Sequence, residues 1–502
     1  MMRFLMMVMA ALLASTQVDA RILYVSTSGL DTNPGTFELP FRNISKGYST
    51  AVAGDTIMLR GGTFALTATI SFSKSGSTAN KYYLLAYPGE YVLIDFSGMG
   101  GSSRGFSLSG SYWYIRGLDF YKAPDNGMHI SGSNNTVERC IFRENGDTGL
   151  QLSNGASNNR IINSDSYYNV DASQGNADGF APKLDVGTGN YFYGCRAWQN
   201  SDDGWDGYIR PRPAVVPTTT MENCWTFRNG YLKSGAASTG NGNGFKMGGS
   251  DTANLSHNVI LKNCLAFQNR VKGFDQNNDR GSMTLLNCTA FSNGTNYGMS
   301  GVFDAGSVMT LKNCVSAGTG GVNVHANAVQ ATNSWRAPFV VTNDDFQSID
   351  TTGVRGPRNA DGSLPTLSFM RLAPGSDLID AGTNVGLPFN GSAPDLGCFE
   401  TSGPSSAGDD AAVPGIFHLD QNYPNPFNPE TQITFSVAPS GRATLVVYNL
   451  LGQKVATLFE DDAERGRVYT VKFSGARLSG GAYIYRLQSG ANVAARKFIL
   501  LK

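Results

Sequence analysis

The chain has 502 residues, and Lys plus Arg and Asp plus Glu both total 39, so no bulk field draws it to nucleic acid or to an anionic membrane. Any polyanion it handles must be held by a local site. Its 60 glycines and scarce helical periodicity select short strands and turns over helix pairs.

Met1-Met2-Arg3 precedes an apolar run from Phe4 to Leu13 and the small-residue ending Val18-Asp19-Ala20. This order reads as a secretory signal peptide over residues 1–20, with an apolar stretch too short to span a bilayer. No later segment is apolar for long enough to be a membrane span.

From Cys140 onward a phrase recurs. Gly194-Cys195-Arg196-Ala197-Trp198-Gln199-Asn200 is followed by Asn223-Cys224 to Asn229, Asn263-Cys264 to Asn269 and Asn287-Cys288 to Asn293, each with an Asn five residues after the Cys. Six of the seven cysteines, Cys140, Cys195, Cys224, Cys264, Cys288 and Cys314, occupy this place, which predicts interior packing residues instead of disulfides. The Asn is expected to take a left-handed bend that ends a short strand. A second phrase, Gly plus a large apolar residue, follows at Gly127-Met128, Gly149-Leu150, Gly179-Phe180, Gly204-Trp205, Gly244-Phe245, Gly273-Phe274 and Gly298-Met299. These glycines are 22 to 40 residues apart, the period of a solenoid, and the fold expected is all-β: a right-handed parallel β-helix. The longest interval holds Pro211, Pro213 and Pro217 and is expected to extrude a loop.

Aligning coils on these glycines places residues beside one another. If Trp205 and its equivalents point inward, the next residues point outward and form the column His129, Gln151, Ala181, Asp206, Lys246, Asp275, Ser300. The residues before the glycines form the column Asn126, Thr148, Asp178, Asp203, Asn243, Lys272, Tyr297. With coils about 4.8 Å apart, Asp178 should lie beside Asp203, and Asp206 beside Lys246. Asp178, Asp202, Asp203 and Asp206 then make one carboxylate patch, whose repulsion requires a cation, and oxygen ligands without His or Cys favour Ca2+. The alternative, a solvated Asp-rich turn, explains Asp202 and Asp203 but not the stacked Asp178.

A lysine on an outward strand face is ordinarily solubilising, but beside a bound cation Lys246 would be pushed towards its neutral form and could act as a general base. These parts suit β-elimination on a uronate polymer: Lys246 takes the C5 proton α to the C6 carboxylate, and the C4 glycosidic oxygen leaves. Arg280 is a candidate for pairing with a substrate carboxylate. His129, His257, His325 and His418 lack ligand spacing and are read as structural or surface residues.

The stretches Asn176-Ala177-Asp178-Gly179-Phe180-Ala181, Asn200-Ser201-Asp202-Asp203-Gly204-Trp205-Asp206, Asn243-Gly244-Phe245-Lys246 and Gly273-Phe274-Asp275-Gln276-Asn277 resemble polysaccharide lyase family 9, best known for pectate lyases. The resemblance runs from about Arg21 to Glu400 and implies calcium on the four aspartates and Lys246 as the base. It also implies a pectic, uronate-rich substrate, with rhamnogalacturonan as another possibility within the family. Tyr24-Val25-Ser26, Asn33-Pro34-Gly35-Thr36 and Gly54-Asp55-Thr56-Ile57 resemble the capping start of secreted β-helix carbohydrate enzymes, which bears on fold alone.

A linker over residues 401–414 precedes a tail over 415–502, with Asn422-Tyr423-Pro424-Asn425-Pro426-Phe427-Asn428-Pro429 and Gly480-Gly481-Ala482-Tyr483-Ile484-Tyr485. It is similar to the C-terminal sorting domain of the type IX secretion system, and its alternating strands predict a small antiparallel β-sandwich. The expected protein is therefore a secreted, monomeric lyase, extracellular or at the cell surface, partnered by an acidic polysaccharide and the secretion machinery. Two other classes compete: a β-helix glycoside hydrolase using an Asp pair and water, and a non-catalytic glycan-binding surface protein. Only a lyase yields an unsaturated product.

Overall fold

The computed structural model describes residues 20–210, 215–250, 255–401 and most of 418–501. The expected signal peptide, apart from Ala20, and the expected linker, apart from Thr401, lie outside these residues. The chain forms two compact units, one of residues up to Thr383 with Asp395–Phe399, the other of Asn384–Pro394 with the residues from Glu400 on.

In the first unit each coil contributes short strands to three parallel sheets, as Phe180–Pro182, Asn190–Tyr193 and Arg196–Trp198 do in one turn. One sheet runs in twelve strands from Ile22–Val25 to Val329–Ala331; the other two have ten each. Such strands are short because a turn must follow every few residues, and parallel pairing leaves their interior face continuous. Phe180, Trp205, Phe245 and Phe274 form the expected inward column, and Tyr297 continues it in place of Met299, with successive ring centroids 4.9–5.3 Å apart. Each aromatic contact stabilises by about 0.5–1.5 kcal/mol beyond its buried area. All seven cysteines are free and buried, and Cys195 Sγ approaches the Ile161 carbonyl of the preceding coil at 3.4 Å.

The asparagines differ from expectation. The left-handed residue is the one before them: Gln199 has φ 48°, Arg228 54°, Gln268 52° and Ser292 50°. Asn223, Asn263 and Asn287, just before the cysteines, are also left-handed. The asparagine five after Cys140, Cys195, Cys224, Cys264 and Cys288, and after Ser164, points inside and builds a ladder, Asn145 to Asn169 to Asn200 to Asn229 to Asn269 to Asn293, with each Nδ2 donating to the next Oδ1 at 2.8–3.0 Å. A carboxamide both donates and accepts, so identical side chains satisfy one another in a buried column. The glycines of the second phrase make room for it: a Cβ on Gly204 would lie 2.0 Å from Thr226 Oγ1 and 2.8 Å from Asn229 Nδ2.

The coil of Gly298-Met299 is a second departure. Phe274 pairs with Tyr297, and Asp275 with Gly298, so the alignment on Gly298-Met299 is two residues out of step there and Ser300 does not continue the outward column. The strand Thr295–Met299 carries a register shift between Thr295 and Tyr297, which glycine spacing does not reveal.

Outside the third sheet, Trp198, Phe227, Phe267 and Phe291 are covered by Phe346, Phe369, Leu372 and Leu378. Arg196 and Arg358 both pair with the buried Asp165, at 2.7 and 2.6 Å, pinning this covering segment. The second unit has a three-stranded and a four-stranded antiparallel sheet around Ile433, Phe435, Leu445, Val447, Tyr485 and Phe498.

Candidate active site

The outward column of the ten-stranded sheet that contains Phe180–Pro182 carries the candidate residues. Asp178 precedes the strand Phe180–Pro182, Asp202 and Asp203 precede Trp205–Asp206, and Lys246 ends Phe245–Lys246. Gly179 N donates to the Asp203 carbonyl, and Gly204 N to that of Asn243, both at 2.9 Å, so the ladder itself sets Asp178 beside Asp203. Asp206 pairs in register with Lys246.

The four carboxylates and Lys246 therefore meet. Lys246 Nζ lies 3.1 Å from Asp203 Oδ2 and 3.2 Å from Asp206 Oδ1, with its side chain 7% exposed. Sequence reasoning missed a second lysine: Lys183 Nζ lies 2.7 Å from Asp178 Oδ2 and 3.4 Å from Asp206 Oδ2. Strand alternation held the signal, since Lys183 is two residues beyond the outward Ala181. Main-chain donors orient the carboxylates: Asn243 N to Asp203 Oδ1 at 2.8 Å, Asp203 N to Asp178 Oδ1 at 3.2 Å, and Tyr208 N to Asp206 Oδ1 at 3.1 Å.

Burial and mutual repulsion set the protonation pattern. Burial raises Asp178 well above the usual carboxylate range against the opposing pull of Lys183, and Asp206, Asp202 and Asp203 raise it further. Burial likewise pushes Asp203 up to about 7, with Lys246 opposing. Asp206 is also desolvated, but it faces both ammoniums and is held below the usual range. For Lys246 burial disfavours the charge, yet Asp206, Asp203, Asp178 and Asp202 together hold the ammonium well above its ordinary range. The expected shift towards neutral amine thus requires a cation on those carboxylates; alone, they act in the opposite direction.

The residues fit a hard divalent cation. One carboxylate oxygen from each of Asp178, Asp202 and Asp203 lies within 4.8 Å of the others, the donors are all oxygen, and Asp203 Oδ2 is buried and accepts no hydrogen bond, with the Lys246 ammonium 3.1 Å away. With every group ionised, four aspartates against two lysines leave an excess of two negative charges. Asp206 stands outside that trio, shared between the lysines.

Arg280 has no ion pair or hydrogen bond to the cluster; its nearest carboxylate is Asp304, at 3.9 Å. Asp275, one coil beyond Lys246, is engaged by Lys272 Nζ at 2.8 Å and by Asn277 N at 3.0 Å.

Residues 23–313 match the family described as Pel9A-like, right-handed β-helix region. Pectate lyase L of Dickeya chrysanthemi is 40% identical over 396 residues, covering 76% of this chain and 90% of the relative. The chain belongs to the Pel9A-like family. A crystal structure of pectate lyase Pel9A superposes with a TM-score of 0.71 at 39% identity, over 76% of this chain and 97% of that one. A rhamnogalacturonan lyase superposes at 0.63 and 26% identity, over 71% and 97%. This Pel9A-like chain is a polysaccharide lyase on a right-handed parallel β-helix. Residues 421–501 match the secretion-system C-terminal sorting domain, which places the protein outside the cell or at its surface.

Proposed function

We propose that this lyase cleaves pectate-type uronate polymers by calcium-assisted β-elimination, with Lys246 as the base that removes the C5 proton. The observation that carries the reading is Lys246 Nζ on the outward column, within 3.2 Å of Asp203 and Asp206, where a substrate carboxylate drawn to the same cluster would present its α-proton. Asp178, Asp202, Asp203 and Asp206 would hold the Ca2+. When bound, the cation would neutralise the substrate carboxylate and withdraw charge from the reacting carbon. Lys246 accepts the proton at Nζ, while Lys183 holds Asp178 and Asp206 in place. Pectate takes precedence over rhamnogalacturonan because the relatives near 40% identity are named pectate lyases, whereas the rhamnogalacturonan lyase is at 26%. Catalysis is assigned to residues 21–400 and sorting to 415–502.

The test is product analysis on polygalacturonate and rhamnogalacturonan. An unsaturated product absorbing at the ultraviolet edge, formed from polygalacturonate and abolished by chelation, is expected. Saturated products heavier by one water would mean hydrolysis, and rhamnogalacturonan cleavage alone would replace the substrate.

A further inference from the structure

The column that supplies Asp178 and Asp203 begins earlier than the first of the repeated phrases. Gly105 N donates to the Asn126 carbonyl, Gly127 N to that of Thr148 and Gly149 N to that of Asp178, so Arg104 occupies the same place three coils before Asp178. The column thus reads Arg104, Asn126, Thr148, Asp178, Asp203, Asn243, Lys272. Its two cations differ: Lys272 is neutralised by Asp275 at 2.8 Å, whereas the Arg104 guanidinium meets His129 Nδ1 through Nη1 at 3.1 Å.

His129 is buried on the outward column that continues through Gln151 to Asp206 and Lys246. Its Nε2 donates to Ser153 Oγ at 2.7 Å, which also accepts from Gln151 Nε2 at 3.2 Å. Burial and the Arg104 charge push His129 down to about 4, with Asp185 opposing, so the imidazole is neutral and accepts from Arg104. Asp185 itself accepts from Asn154 N at 2.6 Å. Thr69 Oγ1 anchors the Arg104 carbonyl at 2.7 Å. The result is a partly exposed guanidinium, held by a neutral side chain, on the face that carries the candidate active site.

We propose that Arg104, braced by His129, is a distal subsite that binds a carboxylate of the acidic polymer five coils from Lys246. The proposal rests on the uronate-lyase reading above. At about 4.8 Å per coil, five coils are about 24 Å, a span of several sugar rings. A guanidinium whose partner is neutral keeps donors for a carboxylate, and a polyanion lying along the sheet would reach both places.

The experiment compares wild type, R104Q and R104K, with calcium, on polygalacturonate and on the galacturonate trisaccharide, and measures retention in a polygalacturonate affinity gel. For R104Q, KM on the polymer should rise about tenfold, the low end of what a charge-assisted hydrogen bond provides, with kcat and the trisaccharide reaction unchanged. Retention in the gel should fall, and R104K should recover part of both effects. Wild-type KM and retention in R104Q would overturn the subsite, as would an equal loss on both substrates with a lowered melting temperature, which marks a structural role. A wild type that makes no unsaturated product from any uronate polymer overturns the functional reading, and the subsite with it.

Discussion

Lys183 Nζ and Asp178 Oδ2 meet at 2.7 Å with both side chains buried, so the carboxylate cluster has a built-in counter-ion on the side away from Lys246. Removing one partner of a buried pair costs about 3–5 kcal/mol because the other charge is stranded. Lys183→Met should therefore destabilise the protein most in chelator, and calcium should restore more stability to the variant than to the wild type. The check is the shift in melting temperature on adding calcium. An equal shift in both proteins would mean that Lys183 and the cation do not share these carboxylates.

The asparagine ladder gives a second expectation. Asn200 accepts from Asn169 Nδ2 at 2.8 Å and donates to Asn229 Oδ1 at 3.0 Å. Asn200→Ala strands the Asn169 main-chain N–H, which donates to Asn200 Oδ1 at 3.3 Å. It also takes one bond each from Asn169 Nδ2 and Asn229 Oδ1, which keep Ser166 Oγ and the main-chain N–H of residue 200. A buried group left unpaired costs about 1–3 kcal/mol. Urea unfolding should show a loss of about 3 kcal/mol with no new metal dependence. Near-neutral behaviour would mean that water or neighbouring coils replace the amide.

Much of this was legible from Cys and Gly spacing. The repeat predicts the coils, and strand alternation predicts that Asp206 faces Lys246, as the register shows. Other features were hidden for physical reasons. An asparagine that bends left-handed and one that bonds its own copy look alike in a sequence; the bend belongs instead to Gln199, Arg228 and Gln268, side chains with no turn preference. The Tyr297 register shift is set by pairing with Phe274, and Lys183 stands outside the phrases that define the repeat. Arg104 occupies a repeat position preceding those first phrases.

Asp279 makes a pH prediction away from the cluster. Burial pushes it up to about 7, while its Oδ1 accepts from His257 N at 2.9 Å and Oδ2 has no hydrogen-bond partner. Between the unfolded value of about 3.9 and the folded one, the folded state keeps a proton that the unfolded state releases. This group's stabilisation is therefore present at low pH and lost as pH rises towards 7. His129 and His257, both pushed down to about 4, act in the opposite sense, so the readout is a difference. Relative to wild type, D279N should gain stability between pH values of about 5 and 8, measured by thermal unfolding across that range. A constant difference would mean that Asp279 does not titrate there.

Lys246 decides the mechanism, because the same ammonium could bind substrate or take its proton. Arg keeps the charge but cannot yield its proton at accessible pH, and Ala removes both. The most direct measurement is kcat of Lys246→Arg and Lys246→Ala on polygalacturonate at saturating calcium, with calcium binding followed by calorimetry in the same samples. The account predicts that both lose turnover by a factor of roughly 10²–10⁴, the scale of general base catalysis, while still binding calcium. Near-normal turnover in Lys246→Arg would contradict it, leaving the lysine as a carboxylate ligand and the base elsewhere.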